Sequence, residues 1–147
     1  MRLSRHFRWS LYVIFTFMFL TGLVWLLADW QKVRTEGDEW QAIAAWLLAA
    51  HGGGAMVTLL LLGALLPIHA NRAWRGKRNR VSGAIMIALN AVLVTTSFGL
   101  YYTASEALRP WISNLHLSVG LSLPAFLIMH IALGRRTPSR SSPRCPR

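Results

Sequence analysis

Four stretches of this chain, residues 9–28, 40–71, 81–105 and 110–134, contain no charged side chain. Each is long enough to cross about 30 Å of hydrocarbon, which takes about 20 apolar residues in a helix. None alternates apolar and polar residues as a barrel strand does. In hydrocarbon a non-barrel segment must satisfy its backbone polar groups within itself, and only a helix does so. The reading is therefore an all-α membrane protein, a bundle of four transmembrane helices with spans near 9–28, 42–67, 82–103 and 111–134. With 147 residues in total, no separate catalytic domain fits beside it.

The charges that border these spans are sorted by sign. Of the sixteen Lys and Arg residues, thirteen lie in the N-terminal lead, in the 71–80 connection and in the tail from Arg135. All five acidic residues (Asp29, Glu36, Asp38, Glu39 and Glu106) lie in the other two connections. Basic residues gather on the cytoplasmic side of membrane proteins, so both termini are expected there, in a bacterial inner membrane. A net charge of +11 then needs only anionic membrane lipid as its partner, and nucleic-acid binding is excluded as a function. The tail, residues 135–147, has too little apolar content to pack and is expected to be disordered. Its Cys145 is the chain's single cysteine, which makes neither an intrachain disulfide nor a metal site. The first span is too long for a signal-peptide core, and Asp29-Trp30-Gln31 follows it where small cleavage-site residues would stand.

Histidines are the unusual residues inside the spans. His116 and His130 lie fourteen residues apart in the last span, about 21 Å along a helix and within about 40° of one face. His51 stands on the outer half of the second span and His69 near its inner end, eighteen residues on. The four fall into two pairs at two depths, His51 with His116 and His69 with His130. Ionisable side chains in a membrane are costly and mark functional sites. Neutral imidazole is a common axial ligand of haem iron, and helix bundles commonly house that cofactor. Two pairs without carboxylates suit six-coordinate haem better than a catalytic metal, which keeps an open position. The glycines at 52–54 beside His51 allow close approach, either of another helix or of a flat cofactor. Asn90 and Thr95-Thr96-Ser97 on the third span are expected to hydrogen-bond between helices. Pro67 is expected to kink or stop the second helix, and Pro124 to bend the fourth between its histidines.

These residues resemble the small two-haem b-type cytochromes, as in bacterial cytochrome b561 and the cytochrome b subunits of nickel-iron hydrogenases and formate dehydrogenases. The likeness spans roughly residues 8–134. His116, Gly120 and His130 reproduce the family's H-x3-G-x9-H. His51 opening a glycine-rich span, Thr21-Gly22, and Thr96-Ser97-Phe98 through Tyr101 also match, with Ser97 in place of a glycine. Where the family carries His-Trp on its first helix, this chain reads Arg8-Trp9. The second ligand of an inner haem would then come from His69, the favoured candidate, or from His6, which needs a shifted first turn. A third alternative is that the inner haem is missing.

The resemblance implies two bis-histidine b haems and electron exchange between quinone in the bilayer and a redox partner subunit. Two other functions stay open: superoxide oxidation, as in some members of the wider family, and a haem-free membrane anchor or assembly subunit.

Overall fold

The computed structural model describes residues 4–35, 38–70 and 79–136, and all four expected helices are present. They are α1 (Arg5–Arg34), α2 (Asp38–Leu65), α3 (Arg80–Tyr102) and α4 (Arg109–Arg136), with a π-helical turn (Leu66–Ala70) after α2. Each of the four is long and apolar enough to cross a membrane. No strand occurs among the described residues. The chain divides into two compact units, residues 1–71 and 72–147, each built around one pair of consecutive helices.

In the first unit, α1 packs on α2. α1 starts at Ser4, whose hydroxyl accepts from the Phe7 N–H at 3.2 Å and so satisfies one of the helix's orphan donors. Its 30 residues span about 45 Å, so both ends reach past the hydrocarbon. There Lys32 pairs with Asp29 at 2.7 Å and the Arg34 guanidinium lies 4.0 Å from the Trp30 ring centre. Asp38 and Glu39 stand in the first turn of α2, where negative charge favours a helix N-terminus. The seam between the helices is made of small residues: Ala28, Ala44 and Gly54 are buried. A Cβ on Gly54 would come within 2.8 Å of Met18 Sδ and Phe17 Cε1, so this glycine sets how closely the backbones approach.

The second unit repeats the plan with α3 on α4. Among its described residues, Ser82, Thr96 and Leu123 are buried. Gly99 lets Ile112 in, since a Cβ there would lie 3.2 Å from Ile112 Cγ2. Pro110 occupies the first turn of α4, where a missing N–H costs nothing. Large apolar residues point outward in both units, among them Trp46, Leu60, Val81 and Ile128. A helix that is apolar all round belongs in lipid.

Several expectations meet differences. The connection between the first two expected spans, 9–28 and 42–67, is helical through Arg34 and again from Asp38. Polarity there marks the edge of the membrane and not the end of the helix. Asn90 Nδ2 donates to the Met86 carbonyl of its own helix at 2.8 Å, the back-bond that a polar side chain finds most readily in a helix. Pro67 does end the α-helix, which gives way to the π-helical turn. Pro124 lies inside a continuous α4, and that helix includes Arg135 and Arg136. Glu36, Gly37, the basic residues 72–78 and the tail from Thr137, Cys145 included, lie outside the described residues.

Candidate functional site: hydroxyl-anchored histidines

Three of the histidines singled out in the spans are held in one way. The Nδ1 of His51 lies 2.9 Å from Thr21 Oγ1, that of His116 2.8 Å from Thr96 Oγ1, and that of His130 3.0 Å from Ser82 Oγ. Each hydroxyl sits on the neighbouring helix of its unit, α1 for His51 and α3 for the other two. Thr21, Ser82 and Thr96 are also the buried polar residues among those described, 9%, 6% and 7% exposed. The polar groups that the helix seams bury are thus the histidine partners.

The hydroxyls are committed elsewhere as donors. Thr21 Oγ1 donates to the Phe17 carbonyl at 2.8 Å, with Met18 O at 3.2 Å. Thr96 Oγ1 donates to the Val92 carbonyl at 2.7 Å, with Leu93 O at 3.1 Å. The Ser82 bond to Asn79 O is longer, at 3.3 Å. A hydroxyl carries one proton and two lone pairs. With its proton on a backbone carbonyl, it faces the ring as an acceptor, so the ring nitrogen donates. For His51 and His116, whose threonine partners make short back-bonds, the hydrogen-bond network therefore favours the Nδ1–H tautomer, the proton positions being inferred from their partners. In a neutral ring that tautomer places the lone pair on Nε2.

Glycines complete the anchors. Gly22 follows Thr21, and a Cβ there would press His51 Cε1 at 3.3 Å. Gly83 follows Ser82, and a Cβ there would reach His130 Cε1 at 4.0 Å. At Thr21 the hydroxyl residue and the glycine after it together seat the imidazole, whereas a Cβ on Gly83 would make only ordinary contact with His130. At Thr96 the next residue is Ser97, which is exposed and back-bonds to Val94 O at 2.9 Å. The glycines at 52–54 divide in role. Gly54 packs on α1, whereas a Cβ at Gly52 or Gly53 would meet nothing within 4 Å.

The second unit shows a strict register. Ser82 precedes Thr96 by fourteen residues on α3, and His130 follows His116 by fourteen on α4. Because the helices run antiparallel, both anchors form at once, about 21 Å apart. In the first unit, the same count from Thr21 and His51 toward the opposite end reaches Phe7 and Leu65, neither an imidazole nor a hydroxyl. His6 stands beside Phe7, exposed, in a regular first turn of α1; no unwound turn is present. His69 stands in the π-helical turn, exposed, four residues beyond Leu65. His51 and His69 belong to one unit, His116 and His130 to the other.

Ser82 and Gly83 went unsingled in the sequence reading. The available signal was the fourteen-residue step from Ser82 to Thr96, equal to the step between the histidines of α4. No cluster of three or more metal-ligating side chains occurs among the described residues, which a haem with two axial histidines does not require. No family model, curated protein or solved structure matches the chain.

Proposed function

We propose that the chain is an electron-transfer protein of the bacterial inner membrane that carries two b haems, with both termini cytoplasmic. The observation that carries this reading is the Nδ1 anchoring of His51, His116 and His130. An imidazole that binds iron through Nε2 normally donates its other N–H to a fixed partner, which sets the tautomer and the ring orientation. Three membrane-embedded histidines prepared in that one way suit axial ligation better than ordinary helix contacts, which would not require the same nitrogen each time.

In this reading His51 and His116 hold the outer haem, and His130 holds the inner one. Two imidazoles, His69 and His6, are candidates for the second ligand that the inner haem would need. His69 is eighteen residues from His51 and His6 is fifteen from Thr21, about 27 Å and about 22 Å of helical rise. His69 lies on the face of His51 by α-helical count but within the π-helical turn that breaks that count; His6 is one residue from the fourteen-residue step counted from Thr21. Bound haem supplies one-electron transfer. The chain's own residues fix the imidazoles through the Thr21, Ser82 and Thr96 hydroxyls. Exchange with quinone and with a redox partner subunit follows from the family resemblance and forms part of the proposal. Superoxide oxidation is less well supported, because Lys32 at the acidic end is already paired with Asp29 and offers little attraction to an anion.

The test is His116→Ala. The variant is expected to lose one of two haems while keeping the spectrum of the other. Full haem occupancy would remove His116 from the ligand set.

A further inference from the structure

The two anchors of the α3–α4 seam differ in what the hydroxyl does with its own proton. Thr96 Oγ1 donates to the carbonyl four residues back, Val92 O, at 2.7 Å, while the carbonyl three back, Leu93 O, is farther off at 3.1 Å. Thr21 repeats this order in the first unit, with Phe17 O at 2.8 Å and Met18 O at 3.2 Å. Ser82 stands in the first turn of α3, which starts at Arg80 with Asn79 as its N-cap. The carbonyl four residues back therefore belongs to residue 78, which precedes the helix. Ser82 donates instead to the carbonyl three back, Asn79 O, at 3.3 Å. That carbonyl already accepts the Gly83 N–H at 3.0 Å. Both hydroxyls are buried, Thr96 at 7% and Ser82 at 6% exposure, so water does not even out the difference.

We propose that Ser82 is a positioning residue that holds His130 more weakly than Thr96 holds His116, so that the two ends of the seam differ in how much electron density their imidazoles can give. Hydrogen bonds in a chain polarise one another, so a hydroxyl that donates well is also the better acceptor. The distances to Nδ1 follow that order, 2.8 Å at Thr96, 2.9 Å at Thr21 and 3.0 Å at Ser82. A good acceptor at Nδ1 raises the basicity of a ring that binds metal through Nε2, and hydrogen bonding around the ligands is one of the levers on a haem's potential. A more basic ring favours the oxidised ion. The His116 anchor therefore contributes toward a lower potential and the His130 anchor toward a higher one, which favours an electron at the His130 end. The inequality of the anchors stands on the seam itself; its effect on potential rests on the haem reading above.

The experiment combines proton–nitrogen NMR of the full chain, carrying isotope-labelled histidine and kept reduced in detergent, with a spectroelectrochemical titration of the same preparation. His116→Ala and His130→Ala assign the ring signals. The Nδ1–H proton of His116 is expected at lower field than that of His130, the mark of the stronger hydrogen bond. In the titration, Thr96→Val should raise the potential of one haem, and Ser82→Ala should raise that of the other by a smaller step. A loss of packing alone would move neither the order of the ring protons in the unsubstituted chain nor one potential at a time. A His130 proton at lower field than that of His116, or equal potential shifts in the two variants, would overturn the proposal. The expected proton order in a protein that holds no haem would uphold the unequal anchors and overturn the electron-transfer reading. Two haems with the reverse proton order would overturn the unequal anchors alone.

Discussion

Replacing Thr96 by valine is the most informative single change in this chain. Valine keeps the shape of threonine and removes the hydroxyl that sits 2.8 Å from His116 Nδ1. The Thr96 side chain is 7% exposed, so water does not readily take its place. The back-bond to Val92 O is lost as well, but that carbonyl keeps its helical N–H partner, so the main loss is between helices. Leaving a buried ring N–H without an acceptor costs about 1–3 kcal/mol. Removing the outer-shell partner of a metal-bound histidine lowers metal affinity by about 10–100-fold, about 1.4–2.8 kcal/mol. The two routes agree. Haem transfer from the purified protein to an excess of a haem-free acceptor globin reads the effect directly. One of two kinetic phases should accelerate by about 10–100-fold, the other should hold, and Thr96→Ser should restore the first. If Thr96→Val releases both haems at the original rates, the hydroxyl does not position a ligand and the anchoring argument fails.

Two further outcomes follow from the geometry. Gly54→Ala should lower the thermal midpoint in detergent, because its Cβ would lie 2.8 Å from Met18 Sδ and Phe17 Cε1 and overpacking costs about 1–3 kcal/mol; Gly53→Ala, which meets nothing within 4 Å, should not. An equal drop in both variants would show that the packing assignment of Gly54 is mistaken. His69→Ala and His6→Ala, assayed side by side for haem content, should differ, with one of them losing a haem; loss in neither would mean that the inner haem has another ligand or is absent.

The spans were legible in the sequence because a membrane forbids unpaired charge over a fixed length, and the uncharged windows mark that length directly. The ends of α1 and α2 were not, because Gln31–Arg34 and Asp38-Glu39 are polar and helical together: the lipid boundary and the helix boundary are different physical limits. The histidines stood out by chemistry alone. Their partners did not, since a hydroxyl finds an imidazole only through the register between two helices, and one sequence fixes the period of each helix but not their relative sliding. Thr21 and Thr96 stand within motifs, and the expectation that Thr96 bonds between helices holds, with His116 as the partner. Ser82 shows no such context, and its role emerges only when α3 is laid against α4. Asn90 shows the converse: a polar residue in mid-span that turns back to its own helix.

The central claim, that anchored histidines hold two b haems, is tested most directly by the absorption spectrum and haem content of the purified full chain. The account predicts two non-covalent b haems per chain, a low-spin reduced spectrum and loss of one haem in His116→Ala. A well-folded protein, helical by circular dichroism and purified with haem supplied during expression, that shows no visible absorption would contradict it and favour a haem-free membrane anchor.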